Sequence, residues 1–264
     1  MIARSIFAET GNWGHKCALI GGLIPSLIVK ELPPELDPHK GTTDVDIAIK
    51  MAASVPDDPA FYKTLKNNLA SLGLKQDEGS FRWIGTVEEK EIIVELFVQV
   101  DDPEQGGKSQ KKPVEGGGSG LQALGVYGLQ HMELDIIEFP SKGELMNGKG
   151  IKDVTLRICG PAMLICLKAW ALEQRTKEKD GYDVVWMLNA YGPEKLADHF
   201  KKCGLAETDF GKQALDFLQK TFESEDHTGP IGWVIESEFE GDDVPLQKRR
   251  AVGLVQEFLT KART

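Results

Sequence analysis

The run Ile92-Ile93-Val94-Glu95-Leu96-Phe97-Val98 constrains the fold more than any other stretch of this chain. It is apolar on both of its faces, so it reads as a strand in the interior of a sheet, covered on each side. A strand of that kind needs partners. Thr43 to Lys50 alternates cleanly, with Val45, Ile47 and Ile49 on one side and Asp44, Asp46, Ala48 and Lys50 on the other. Cys17-Ala18-Leu19-Ile20 reads as a short buried strand. Phe81–Ile84 and Glu91–Val100 read as a pair joined by a turn around Gly85, and His131–Phe139 and Asp153–Ile158 as two further short strands.

Helical patterns lie between and after these strands. Leu23–Glu31 reads as a helix with Pro25 in its first turn, and Asp57-Asp58-Pro59 opens a second that ends near Gly73. From Pro161 onward the pattern is helical throughout: Pro161–Arg175, Asp180–Ala190, Glu194–Cys203, Glu207–Phe222 and Pro245–Ala262. The expected fold class is therefore α+β, with a mixed α/β region over residues 1–155 and a helical domain over 156–264. The 264 residues are enough for two such units, each with its own core. Leu32–Gly41 reads as a proline-rich loop. Asp101–Gly120, with six glycines in twenty residues, reads as a flexible loop. Its run Gly116-Gly117-Gly118-Ser119-Gly120 lacks the preceding strand and following helix of a phosphate loop and is read as a linker.

Composition removes several classes. Hydrophobic residues at 41% and charged residues at 27% exclude wholesale disorder and fibrous architectures. No apolar run reaches about 18 residues, so no membrane span is expected. Met1–Gly14 carries Arg4 and Glu9 and no long apolar stretch, so no secretory signal is expected. Cys17, Cys159, Cys166 and Cys203 form no C-x-x-C pair and are read as reduced thiols of a cytoplasmic protein. The five histidines make no metal-ligand spacing. The net charge of −10 is concentrated: Thr221–Gln247 holds eight acids and no Lys or Arg. That segment is expected to be a solvated face or a surface for a basic partner rather than the wall of a nucleotide site.

The chemistry-bearing residues are carboxylates. In a strand, residues two apart share a face, so Asp44 and Asp46 sit side by side. Two like charges so close favour a cation, and Mg²⁺ is content with one or two carboxylates plus substrate phosphates. A solvated strand edge would explain the same pair. Glu95 is the one charge within the apolar run, which is costly unless it is paired or bound to metal. It either joins Asp44 and Asp46 as a third carboxylate, lies near a strand end facing solvent, or pairs with Lys90 or Arg82. Gly21-Gly22, between a strand and a helix start, lets backbone approach a phosphate or simply makes a tight turn. Lys168 is the only charge between Ala162 and Leu172, and Arg175 shares its helical face. The two either neutralise triphosphate or snorkel to water. Asp180 reads as an N-cap, with Asp183 at the capping-box position.

The order of these features resembles the DNA polymerase β-like nucleotidyltransferases, and more closely their AbiEii/AbiGii-type toxin branch. The resemblance covers about residues 15–190. It is carried by Thr43-Asp44-Val45-Asp46-Ile47 together with Lys168 and Arg175-Thr176-Lys177-Glu178-Lys179-Asp180-Gly181-Tyr182-Asp183. It implies a nucleotidyltransferase fold, a small twisted mixed sheet flanked by helices, followed by a helical C-terminal domain. It implies Asp44, Asp46 and Glu95 as catalytic, metal-binding carboxylates for Mg²⁺ or Mn²⁺. Gly21, Gly22, Lys168, Arg175, Asp180 and Asp183 become nucleotide-site residues, with an NTP as substrate. The implied acceptor is a tRNA end or a protein hydroxyl, in a toxin silenced by an antitoxin protein. A small-molecule nucleotidyltransferase of the aminoglycoside-modifying kind, or a non-catalytic nucleotide-binding protein, are the alternatives. The chain departs from the family at Leu23, where Ser or Thr is usual, in the length of Leu32–Gly41, and at Glu95, where Asp is commoner.

Overall fold

The computed structural model describes residues 1–50, 57–87, 89–117, 120–175 and 177–264. Along the chain the elements are α1 (Ile2–Thr10), β1 (Ala18–Ile20), α2 (Ile24–Ile28), β2 (Asp44–Lys50), α3 (Pro59–Ser71), β3 (Lys75–Gln76), β4 (Arg82–Val87) and β5 (Lys90–Val100). There follow β6 (Ser109–Lys112), β7 (Leu121–Tyr127), β8 (Ile136–Glu144), β9 (Ile151–Cys159), α4 (Pro161–Gln174), α5 (Glu178–Tyr191), α6 (Pro193–Lys202), α7 (Asp209–Thr221), α8 (Thr228–Glu236) and α9 (Asp243–Ala262). The protein is α+β, with a mixed open sheet flanked by helices and a helical C-terminal part. Two compact units divide it: Met1–Leu23 with Thr42–Cys159, and Ile24–Gly41 with Gly160–Thr264. The proline-rich loop thus belongs with the helices, not with the sheet that precedes and follows it in sequence.

The first unit contains the whole sheet, in the order β3-β4-β5-β2-β1-β9-β8. Strand β5 is interior, as its apolar faces require. It lies parallel to β2 on one edge, and its other edge is shared in succession by antiparallel β4 and parallel β7. Val45, Ile47, Ala48 and Ile49 of β2 and Val94, Leu96 and Val98 of β5 are all buried. Helix α3 opens as its sequence dictates. Asp58 accepts a hydrogen bond from Phe61 N (3.0 Å), Pro59 sits in the first turn, and Phe61, Tyr62, Leu65 and Leu69 face inward.

Several boundaries differ from the sequence expectation, each for a visible reason. The helix expected over Leu23–Glu31 is only α2, following a 3-10 turn at Gly21–Leu23; the β-branched Ile28-Val29 and then Pro33-Pro34 stop it early. Gly85 lies inside β4, where a side chain would meet Leu74 Cδ2 at 2.7 Å, and the turn comes later at Glu89, whose φ is +64°. Asp101–Gly120 is not all loop, because β6 pairs with β7. Within that stretch, Gly118 and Ser119 of the glycine run lie outside the described residues. His131–Asp135 is 3-10, and β8 and β9 form a hairpin longer than expected. Helices α1 and α8 and strand β7 were not expected.

The second unit is helical. Trp170 of α4 stacks on Phe210 of α7 at 5.6 Å, and Phe200 of α6 meets Phe258 of α9 at 6.1 Å. Helices α5 and α8 approach closely because glycines face each other. A side chain at Gly181 would strike Gly229 O at 2.5 Å, and one at Gly232 would strike Glu178 O at 2.3 Å. Of the eight acids in Thr221–Gln247, Glu223, Asp226, Glu238, Glu240, Asp242 and Asp243 are exposed, which fits a solvated face. All four cysteines are free thiols, and Cys17, Cys159 and Cys166 are buried. Burial pushes the Cys17 thiol up to about 12. No helix among the described residues is long and apolar enough to cross a membrane.

Candidate functional site

In the first unit the carboxylates come together through strand register. β2 and β5 run parallel, pairing Asp44 with Ile93 and Asp46 with Glu95. Residues in register on adjacent strands present their side chains to the same face about 5 Å apart. Asp46 and Glu95 are therefore neighbours, and Asp44 stands one pleat along the same face of β2. Behind them lie the buried Val45, Ile47 and Val94. Glu95 also meets an arginine: Arg82, directly opposite it on β4, places Nε 2.7 Å from Oε1. Of the readings open for Glu95, the structure shows the pair with Arg82; Glu95 stands in register with Asp46, but among the described residues no three acids gather closely enough to hold a metal ion.

Gly21 is fitted to this face. Ile20 pairs with Asp46, and the chain then turns with φ of +78° at Gly21. A side chain there would lie 1.9 Å from Asp46 Oδ2. The glycine is required twice, by its backbone conformation and by the carboxylate resting against its Cα. Gly22 is buried beside it. The Thr42 hydroxyl accepts a hydrogen bond from Asp44 N at 3.1 Å, holding the first residue of β2.

The donor set suits a hard divalent cation, since Asp44 and Asp46 supply two carboxylates on one face. Among the described residues no three of His, Cys, Asp and Glu gather closely enough to hold a metal ion. What the structure offers a cation is thus two carboxylates on one face of β2, with Glu95 adjacent and held by Arg82.

The remaining sequence candidates lie in the second unit and form a network of their own. Lys168 on α4 is buried, with Nζ 2.8 Å from Asp180 Oδ1 and 2.6 Å from Asp183 Oδ2 of α5. Arg175 grips the same Asp180 with two nitrogens, Nε at 2.9 Å and Nη2 at 3.2 Å. Burial opposes the charge of Lys168, but Asp183 and Asp180 outweigh it and hold the amine above its usual range. Burial likewise pushes both carboxyls up, and the cations overcome it. Lys168 and Arg175 hold Asp180 below the usual range, and Lys168 and His39 do the same for Asp183. Two cations and two anions balance, leaving Lys168 no uncompensated charge to offer a triphosphate, and it does not snorkel. Asp180 is not the N-cap: α5 begins at Glu178 with Lys177 at the cap, and Asp180 is a buried first-turn residue. Thr176, within the same motif, lies outside the described residues.

His39 completes this network. Its Nδ1 accepts a hydrogen bond from Gly41 N at 2.9 Å, which leaves Nε2 to carry the proton it donates to Asp183 Oδ1 at 2.9 Å. The loop around it is strapped to one stripe of α5. Trp186 Nε1 donates to Asp37 O (2.9 Å), Tyr182 Oη accepts from Lys40 N (2.9 Å), and Lys179 Nζ donates to Gly41 O. Lys179, Tyr182, Asp183 and Trp186 follow the spacing of one helical face. Arg82 was one of two partners the sequence offered for Glu95, and the register selects it over Lys90; His39 carried no motif and is recognisable only by what the fold sets opposite it. No family model, no curated protein and no solved structure matches the chain.

Proposed function

We propose that the protein is a metal-dependent nucleotidyltransferase of the DNA polymerase β-like kind, most like the AbiEii/AbiGii-type toxins. The observation that carries this reading is the set of carboxylates on β2 and β5, with Asp46 in register with Glu95 and seated against Gly21. The reaction joins an acceptor hydroxyl to the α-phosphorus of an NTP. The bond from that phosphorus to the bridging oxygen breaks, pyrophosphate leaves, and the hydroxyl proton passes to a base. Asp44 and Asp46 would hold Mg²⁺ or Mn²⁺, which when bound neutralises phosphate charge. Asp46 is fixed by Gly21, and Asp44 by its place on β2, so both are preorganised. Positioning and electrostatics are what this chemistry needs most. Glu95, when released by Arg82, is the candidate base or third ligand. Lys168, Asp180 and Asp183 serve here as a buried brace of the helical unit, with the exposed Arg175 closing it from outside, rather than as phosphate ligands.

The proposed acceptor is a tRNA end or a protein hydroxyl, with an antitoxin as the silencing partner; a small molecule is the rival acceptor. The Arg82–Glu95 pair favours one second reading, a non-catalytic nucleotide-binding protein on the same fold, because it satisfies Glu95 without metal. Incubation with each α-labelled NTP, Mg²⁺ and a cell extract separates these. Transfer predicts a labelled acceptor that disappears with chelator and in Asp44→Asn or Asp46→Asn. Nucleotide binding with no labelled product from any NTP supports the non-catalytic reading.

A further inference from the structure

We propose that His39 is a proton-operated latch: neutral, it holds the end of the proline-rich loop closed on Gly41, and protonation at Nδ1 releases the Gly41 amide while His39 stays on Asp183. The latch lies wholly within the second unit and does not depend on the carboxylates of β2. Geometry sets the protonation state. Gly41 N donates to Nδ1 at 2.9 Å, so Nδ1 offers a lone pair, and the one ring proton sits on Nε2, 2.9 Å from Asp183 Oδ1. The His39 side chain is 0% exposed, with the rings of Tyr182 and Trp186 at 5.0 and 4.9 Å. Water therefore has no access to replace a lost hydrogen bond. A proton on Nδ1 sets one donor against another, and the ring cannot turn without giving up Asp183.

The surrounding charges do not rescue the closed form. Asp183 attracts an imidazolium, but Lys168 Nζ, 2.6 Å from Oδ2, already balances that carboxylate. Asp180 is shared between Lys168 and Arg175. Lys179 donates to Gly41 O, so another cation faces the same turn. Lys40 is engaged by Glu238, and Asp37 and Glu236 act on the Tyr182 hydroxyl, which they help keep protonated. The closed form thus excludes the second ring proton, and the open form accepts it at the ordinary histidine value of about 6.5. The latch is closed above that pH and opens below it. It acts at a chain crossing: Gly41 ends its segment of the second unit, and Thr42 belongs to the first.

Amide exchange and ring-nitrogen NMR on the full chain, without metal or nucleotide, test the latch. At a pH of about 7.5 the ring of His39 should be neutral, with its proton on Nε2. At a pH of about 5.5 the imidazole of the open form is charged about ten times more often than neutral. Protection of the Gly41 amide, corrected for its intrinsic exchange rate, should therefore fall about tenfold. Lys40 N, held by Tyr182 Oη, is the internal control and should change by less than about twofold. His39→Asn sets a non-titrating amide oxygen in place of Nδ1, so Gly41 protection should become independent of pH over this range. If that variant does not fold, the wild-type ring decides: Nδ1 must gain its proton in step with the loss of Gly41 protection. Unchanged Gly41 protection, equal loss at Lys40, a pH dependence that survives in His39→Asn, or a His39 already doubly protonated at the higher pH overturns the latch.

Discussion

Gly21 lacks a side chain because Asp46 leaves no room for one. With φ at +78° and Oδ2 only 1.9 Å from an added Cβ, Gly21→Ala is both strained and sterically blocked. The variant is expected to lose about 1–3 kcal/mol of stability. The nucleotide transfer proposed for this protein should fall far more than that loss explains, because Asp46 must move. Normal transfer by a folded Gly21→Ala protein would separate Asp46 from the chemistry. Lys168 poses the opposite case. Lys168→Met keeps the packing stem but removes the charge that Asp180 and Asp183 share, leaving Asp180 to Arg175 and Asp183 to His39, so urea unfolding should show about 3 kcal/mol of destabilisation, the low end for a broken buried pair. A change below about 1 kcal/mol would show the network to be dispensable. The period-two pattern was enough to place Asp44 and Asp46 on one face. Nothing in sequence could show that Lys168, apparently alone in an apolar helix, meets two aspartates on the next helix. That pairing depends on how α4 and α5 are rotated against each other.

Helix α5 shows what a single element does for its surroundings. One stripe, Lys179, Tyr182, Asp183 and Trp186, holds the backbone and side chains of residues 37–41. Tyr182→Phe removes only the acceptor for Lys40 N. Amide exchange should then lose protection at Lys40 while Gly41, held by His39 Nδ1, keeps it, at a cost of about 1 kcal/mol. Loss of protection at both amides, or at neither, would mean that the strap does not hold as separate hydrogen bonds. Elements with strong periodicity, β2, β5, α3 and α4 to α7, were legible in advance. The missed ones share a cause. Strand β7 carries Ala123 and Gly125, where a side chain would strike Gln105 O at 2.7 Å, and small residues give little strand signal. Helix α8 contains Gly229, Pro230 and Gly232, poor helix formers retained because α5 lies so close. In both cases tertiary packing overrides local propensity.

For the molecule as a whole, charge is the legible quantity and its pairing the hidden one. The acidic stretch is exposed as expected, yet Lys40 of the strap reaches Glu238 and Lys248 lies near Asp226. The buried carboxylates of α5 add to the acid response. Asp180 and Asp183 titrate below their unfolded values, so their contribution is present above about pH 4 and is lost as pH falls through the depressed folded values. Unfolding free energy should therefore drop below pH 4 more steeply in the wild type than in Lys168→Met/Asp180→Asn/Asp183→Asn, which removes the titrating pair. Parallel pH profiles would contradict the assignment of the acid-labile charges to this network.

The central claim is that Asp44 and Asp46 form a cation site, and a thermal melt addresses it directly. The wild type is melted with and without Mg²⁺ or Mn²⁺, and with metal plus NTP, beside Asp44→Asn and Asp46→Asn. A ligand that binds only the folded state raises the melting temperature by mass action. The account predicts a metal-dependent rise in the wild type that grows with NTP. In each variant it predicts no metal-dependent rise and a metal-free melting temperature equal to or slightly above wild type, because the repulsion between the acids has been relieved. Variants that melt well below wild type without metal, together with a wild type indifferent to metal, would make the pair architectural and remove the basis for the transferase.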